Sequence, residues 1–141
     1  MFCFRLAAVR TLLVILRFTV KLEDRTNIMF RIKEELAHGK SCHSRMLFLR
    51  FCEMAIMLYS KTYFKNHFFS ELLCLSQDSV PNVRLKVVSL LAKIKSLLSL
   101  PSDRSFLLHL EEVVKELLVT EQDRDVRTTV QAATQALAEV K

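Results

Sequence analysis

The residues best suited to chemistry in this sequence are its clustered carboxylates. Glu34 and Glu35 are adjacent, and Glu111, Glu112 and Glu116 fall within one six-residue segment. Two carboxylates held in a pocket can act as general acid and general base. Each cluster here lies on the polar face of a predicted amphipathic helix, where solvated side chains are typical. The spacing of the serines, histidines and aspartates also indicates no catalytic triad. The sequence therefore predicts no enzyme.

A histidine and cysteine cluster is the candidate for metal binding. Cys42 and His43 are adjacent and His38 lies four residues before Cys42, but no fourth ligand follows at zinc spacing. We therefore expect no metal and no other cofactor. The absence of any C-x-x-C pair among the cysteines favours reduced thiols in an intracellular protein. The four cysteines are Cys3, Cys42, Cys52 and Cys74.

The glycine count excludes further classes of site. Gly39 is the single glycine among 141 residues. Phosphate-binding loops, dinucleotide-binding turns and nucleophile elbows each need at least two glycines, because their backbone approaches a ligand closely or adopts positive φ. Pro81 and Pro101 are the two prolines. So few glycines and prolines, the residues that interrupt helices, predict helices joined by short turns.

Charge is distributed unevenly along the chain. The net charge of +6 is made of +6 from residues 1–50, +3 from residues 51–100 and −3 from residues 101–141. A basic N-terminal half can attract an acidic partner or nucleic acid, and helical repeats can bind RNA. Because the aromatic residues are mostly phenylalanines at core spacing, we expect no nucleic acid. RNA binding that falls steeply with salt would reveal that alternative.

The first 22 residues are basic and apolar. Their longest uncharged run is the six residues from Thr11 to Leu16, which is too short for a membrane span or a secretory signal. A mitochondrial presequence would also be rich in arginine and poor in acids. The segment nevertheless matches the repeat described next, which weighs against a presequence. We expect no membrane span and a cytoplasmic location.

The sequence repeats itself with a period near 40 residues. Four segments begin at Arg5, Arg45, Arg84 and Arg127, at intervals of 40, 39 and 43 residues. Side chains three, seven and ten positions later are apolar, with Thr134 as the exception, and they share one helix face. A second amphipathic helix precedes each of the last three segments. These preceding helices are predicted near residues 24–37, 63–75 and 103–119.

Paired helices at this period are typical of HEAT and armadillo arrays. We predict an all-α fold, a right-handed α-solenoid of HEAT-like helix pairs with about seven helices in one array over residues 1–141. The predicted boundaries are a partial repeat at 1–22 and repeats at about 23–60, 61–100 and 101–141. Because the array opens on half a repeat, we expect a fragment or short isoform of a longer solenoid. The missing first helix would leave Leu12, Leu13, Ile15 and Leu16 partly bare.

The turn that precedes Arg84 carries the most specific motif. It resembles the HEAT signature in scaffold and regulatory subunits of the type-2A-like serine/threonine phosphatases. Over residues 60–135 the amino-acid sequence most resembles subunits of the protein phosphatase 4 type. Asp125 and Arg127 repeat the motif without a proline, whereas the turn at residues 41–45 diverges. The matching residues are Asp78, Pro81, Asn82, Val83 and Arg84.

This resemblance implies a cytoplasmic, non-catalytic scaffold that binds a serine/threonine phosphatase catalytic subunit of the protein phosphatase 4 type. It also implies structural roles for the motif. Asp78 and Asp125 would cap a helix, and Arg84 and Arg127 would bond to acidic groups of the next repeat. An adaptor for another protein partner is the alternative, and an RNA-binding helical repeat is the less favoured one.

Partner contacts are expected on the turns within the helix pairs. In a solenoid the apolar stripes are covered by stacking, so the turns and the outward faces remain for binding. The turns near residues 38–44, 77–82 and 121–125 would form one ridge of mixed charge. The candidate contact residues are Lys40, His43, Asp78, Asn82, Asp123, Arg124 and Asp125.

Overall fold

A computed structural model describes residues 2–139, with side chains from Arg5 onward, so the predicted thiol of Cys3 lies outside the described side chains. Within these residues there is no β-strand, which confirms the all-α prediction. None of their helices is long and apolar enough to cross a membrane. The helices are α1 (Phe2–Phe18), α2 (Leu22–Ile32), α3 (Cys42–Leu58), α4 (Lys61–His67), α5 (Phe69–Cys74), α6 (Pro81–Lys95), α7 (Arg104–Thr120) and α8 (Arg124–Glu139).

The described helices number one more than predicted, because the helix expected near residues 63–75 is divided into α4 and α5. The break falls at Phe68, whose φ of −119° departs from the helical value near −63°. The Phe68 ring is fully buried and lies 5.5 Å from the ring of Phe51 and 5.6 Å from that of Phe64. A 3₁₀ turn at Leu75–Gln77 follows α5.

Helix starts follow capping chemistry that is visible in the sequence. The Ser41 hydroxyl accepts a hydrogen bond from the His43 backbone N–H at the start of α3. The Ser60 hydroxyl accepts one from the Tyr63 N–H at the start of α4. Such caps satisfy N–H groups that have no partner inside the helix. Pro81 occupies the first turn of α6, where a missing N–H costs nothing.

The chain divides into two compact units, the first ending at Leu72 and the second beginning at Leu73. In the first unit α1 packs against α2 and α3, and the π-helical turn that follows α2 at Lys33–Ala37 packs against α3. Its core is rich in aromatic rings, which bury large apolar areas. The fully buried phenylalanines of this unit include Phe48, Phe51, Phe64 and Phe68.

The second unit has an aliphatic core. Helix α6 packs along α8, and α7 contacts both. The buried side chains of these three helices recur at three- and four-residue intervals, as expected for amphipathic helices. They include Val87, Leu90, Leu91, Leu110, Leu117 and Val130.

Helix α1 is better covered than the sequence suggested. Leu13 and Leu16 are 1% and 0% exposed, because α2 and α3 pack against this helix. The Tyr59 hydroxyl, just beyond α3, also donates a hydrogen bond to the Leu13 carbonyl. The expectation of bare side chains was therefore wrong for Leu13 and Leu16. It holds for Ile15, which is 47% exposed, while Leu12 is half-buried.

Candidate functional site

The turn between α2 and α3 is built around a backbone contact that only glycine allows. A Cβ atom at Gly39 would lie 2.5 Å from the Glu35 carbonyl oxygen and 2.7 Å from the Ser44 Cβ. Arg45, in the first turn of α3, donates from Nη1 to the carbonyl oxygens of Gly39 at 2.9 Å and Lys40 at 3.0 Å. The arginine therefore ties the turn to the helix that follows it.

The turn before α6 is tied in the same way. Arg84 Nη1 donates to the carbonyl oxygens of Asp78 at 2.8 Å and Ser79 at 3.3 Å. These acceptors lie six and five residues before Arg84, as Gly39 and Lys40 lie before Arg45. The 39-residue interval in the sequence thus corresponds to a repeated hydrogen-bond pattern.

Arg84 also holds a carboxylate of the next turn. Its Nε and Nη2 atoms donate to Oε2 and Oε1 of Glu121, each at 2.7 Å. The Arg84 side chain is 16% exposed and that of Glu121 only 2%. Two parallel bonds between a guanidinium and a carboxylate form a strong and directional pair. These bonds lower the pKa of Glu121 against the opposing effect of its burial, and they raise the pKa of Arg84.

Glu121 is a motif residue that the sequence reading missed. It lies 43 residues after Asp78, the same offset that separates Arg127 from Arg84. Asp78 Oδ1 accepts a hydrogen bond from the Val80 N–H at 2.8 Å, and Glu121 Oε1 accepts one from the Asp123 N–H at 2.9 Å. Both side chains therefore close a turn two residues long. The signal was present in the offset, but a glutamate replaces the aspartate.

The capping residue of α8 is Asp123 rather than Asp125. Asp123 Oδ1 accepts hydrogen bonds from the backbone N–H groups of Asp125 at 2.9 Å and Val126 at 3.0 Å. Asp125 instead lies inside the first turn of α8, so its side chain is past the capping position. Asp78 also differs from the predicted role, since α6 has no side-chain cap and Asp78 bonds to the Val80 N–H before the helix.

Several predicted contact residues are exposed on these turns. Asn82 is exposed at the start of α6, and Lys40 and His43 are exposed beside the turn of the first unit. Arg124 and Asp125 form an open pair, with Nε and Oδ1 3.5 Å apart and side chains 93% and 73% exposed. A depression of about 240 Å³ lies between the two turns of the second unit. Its lining includes Asp78, Arg84, Glu121 and Gln122.

Arg127 differs from its counterpart Arg84. Its side chain is exposed and makes no hydrogen bond or ion pair with any residue that the structure describes. The predicted bond to an acidic group of a following repeat therefore has no counterpart within residues 2–139.

The candidates for catalysis and metal binding are not brought together. All five glutamates of the carboxylate clusters are exposed. His38 Nε2 lies 3.0 Å from Glu71 Oε2, whereas His43 Nδ1 lies 3.7 Å from the Cys42 sulfur. Across the described side chains no group of three or more histidine, cysteine or acidic residues is arranged to hold a metal ion.

These helix pairs, joined by turns with a repeated bonding pattern, define a helical-repeat protein. The chain is similar to the human and mouse proteins named serine/threonine-protein phosphatase 4 regulatory subunit 4. Each is 42% identical over 120 residues, which cover 85% of this chain and 14% of the relative. The predicted resemblance to regulatory subunits of protein phosphatase 4 is thereby confirmed. No protein-family model and no solved structure matches the chain.

Proposed function

We propose that this chain is a non-catalytic, helical-repeat part of a regulatory subunit that binds the catalytic subunit of a serine/threonine phosphatase of the protein phosphatase 4 type. The observation that carries the proposal is the 42% identity over 120 residues to subunits of that name. A cytoplasmic location belongs to the same proposal. The matched relatives are much longer, and the chain spans 14% of their length.

The contacts within the second unit support two different roles for its turn residues, positioning of the turns and contact with a partner. Asp78, Arg84, Glu121 and Asp123 bond to the backbone or to one another, so they hold the turns in place. Asn82, Arg124 and Asp125 are exposed on the same two turns. We therefore assign partner contact to this second group and positioning to the first.

Exposed residues of opposite charge on rigid turns are suited to orienting a partner more than to adding raw affinity. Arg124 and Asp125 place a positive and a negative group side by side. In the first unit Lys40 presents an ammonium group and His43 an imidazole ring at the corresponding turn. The proposed contact surface is thus polar and mixed in charge, in contrast to the apolar interior of each unit.

A charge exchange tests this assignment without altering composition. Arg124→Asp combined with Asp125→Arg preserves the net charge but reverses the local field. The matched control is Lys115→Glu combined with Glu116→Lys, an adjacent exposed pair on α7 away from the turns. Co-purification and a binding titration with the protein phosphatase 4 catalytic subunit measure both variants against the parent chain.

We expect the turn exchange to weaken binding about tenfold and the control exchange to leave it within about twofold. Equal binding by the parent and the turn variant, with helicity and melting unchanged, would move the interface to another face. Absence of binding by the parent chain itself would overturn the proposed function. Preferential capture of RNA that weakens steeply with salt would favour the nucleic-acid alternative.

A further inference from the structure

The first unit contains a groove between α2 and α4. This groove is separate from the turn residues proposed above to contact a partner. Its volume is about 370 Å³. Helix α2 and the π-helical turn that continues it line the groove with two rows of side chains, each spaced by four residues and therefore stacked along one face. The first row is Arg25, Met29 and Lys33, and the second is Leu22, Thr26 and Phe30.

The opposite wall is an aromatic column on and beside α4. The ring centroid of Tyr63 lies 4.3 Å from that of His67 and 5.1 Å from that of Tyr59. Tyr59 is anchored by its hydrogen bond to the Leu13 carbonyl, and burial raises its pKa to about 12. The neighbouring Phe64 and Phe68 rings are buried in the core. These contacts hold the column in place within the first unit.

Arg25 is positioned in this groove without an acidic partner. Its guanidinium carbon lies 5.2 Å from the centre of the Tyr63 ring. Among residues 2–139 no carboxylate pairs with it. A guanidinium beside an aromatic ring keeps its planar fork of N–H donors, which matches a carboxylate in a bidentate way.

The other ionisable groups of the groove carry less free positive charge. Lys33 Nζ lies 3.5 Å from Glu71 Oε1, so that charge is partly compensated. The pKa of His67 is lowered, first by burial and then by Lys33 and Arg25, which favours its neutral imidazole. The positive potential is therefore concentrated at the Arg25 end.

Most of the remaining groove surface is apolar, and part of it is exposed. Met29 forms a buried floor, whereas Phe30 is 63% and Leu22 is 78% exposed. Arg25 and Lys33 are eight residues apart on α2 and its continuation, which corresponds to about 12 Å. An extended peptide covers that distance with about four residues.

We propose that this groove binds a short extended segment of another protein that carries a carboxylate followed by a bulky apolar side chain. The carboxylate pairs with Arg25, and the apolar side chain covers Phe30 and Met29. A peptide is favoured over single-stranded RNA because the Tyr63 ring already contacts Arg25 and His67, which hinders stacking of a base. This inference does not depend on binding of a phosphatase.

The test uses the full chain and a defined probe. The probe is the acetylated peptide Glu-Asp-Leu-Phe with a rhodamine label, and its matched control is Gln-Asn-Leu-Phe with the same label. Fluorescence anisotropy measures binding of both peptides to the parent chain and to Arg25→Gln. The control for lost charge is Arg10→Gln, because Arg10 is exposed on α1 and does not line the groove.

We expect the acidic peptide to bind about tenfold more tightly than the amide peptide, and Arg25→Gln to remove about tenfold in affinity. Arg10→Gln should change the affinity by less than about twofold. A second pair isolates the apolar contact: Phe30→Ser should weaken binding about fivefold, and Val20→Ser, a 93% exposed residue outside the groove, should have no effect.

Four results would overturn the proposal. These are equal binding of the acidic and amide peptides, equal losses in Arg25→Gln and Arg10→Gln, and no binding of the acidic peptide by the parent chain up to about 1 mM. The fourth is displacement of the peptide by a twelve-nucleotide uridine RNA at a lower concentration than by unlabelled peptide, which would make the groove a nucleic-acid site. Circular dichroism and thermal melting verify that each variant remains folded.

Discussion

The two turns of the second unit carry the same motif in different surroundings. Arg84 makes hydrogen bonds to Glu121, Asp78 and Ser79, and its side chain is largely buried. Arg127 occupies the equivalent place 43 residues later, yet its side chain is exposed. Identical spacing in the sequence therefore yields one structural arginine and one surface arginine.

The difference shows what the motif requires besides its own residues. Helix α6 packs along α8, which brings the turn before α8 within reach of Arg84. Glu121 then supplies the carboxylate, while its own turn is closed by the Asp123 N–H. Arg84 is fixed on both sides, by the carbonyls of its own turn and by an acid that lies two residues before the cap of α8.

The largest expected effect comes from removing the fixed arginine. Arg84→Ala should lower the free energy of unfolding of the second unit by about 3 kcal/mol, because it leaves the Glu121 carboxylate buried without its partner. The measurement is native-state hydrogen exchange at the amides of α6 and α8, which reports the stability of this unit directly.

Arg127→Ala is the matched control for that loss. It removes the same side chain from an exposed position, so the change should stay within about 0.5 kcal/mol. Similar losses in both variants would show that the two arginines are equivalent after all, and the comparison would fail.

A double-mutant cycle sharpens the comparison to one pair. Arg84→Ala and Glu121→Ala, singly and together, should show a coupling energy of about 2 kcal/mol, since the two side chains share two hydrogen bonds. The same cycle with Arg127 in place of Arg84 should give a coupling near zero. A coupling below the experimental error for the first pair would mean that the bidentate contact does not persist in solution.

Much of this fold could be predicted from the sequence. The 40-residue period and the apolar faces predicted the helix pairs, and the boundaries of α3, α6 and α8 follow the repeated segments closely. Periodicity could not predict the break at Phe68, because the pattern of apolar residues continues across it. The burial of Leu13 and Leu16 depends on packing by α2 and α3, which a single helix pattern does not contain.

The candidate site was less predictable for a related reason. Asn82, Arg124 and Asp125 were named from turn positions alone, and their exposure follows from those positions. Glu121 was missed because the second copy was matched through Asp125 and Arg127 alone, and the same 43-residue offset was not applied to Asp78. The sequence also did not predict that Lys33 and His38 both contact the Glu71 carboxylate. These two residues lie at the ends of a π turn at Lys33–Ala37, in which the His38 N–H donates to the Lys33 carbonyl five residues back.

A smaller effect distinguishes the cap of α8 from its neighbour. Asp123→Ala should destabilise the second unit by about 1 kcal/mol, because two backbone N–H groups lose their acceptor. Asp125→Ala should cost only a few tenths of a kcal/mol, about the value of a favourable charge in the first helical turn. Hydrogen exchange at the first amides of α8 measures both. A larger loss for Asp125→Ala would restore the capping role that the sequence suggested.

The smallest effect is the pH dependence of the Arg84 and Glu121 pair. Because Arg84 holds the pKa of Glu121 below its unfolded value near 4.5, the pair contributes its full stability above that pH. The contribution is lost as the pH falls through the folded pKa, so the advantage of the parent chain over Glu121→Gln should shrink below about pH 4.5. A protonated carboxyl can still accept a hydrogen bond from Arg84, which limits the loss.

Hydrogen exchange or urea unfolding from pH 6 to pH 3 measures this difference in stability, with Glu116→Gln as the exposed control. A constant difference between the parent chain and Glu121→Gln across this range would show that the charge of Glu121 adds nothing to the contact that distinguishes Arg84 from Arg127.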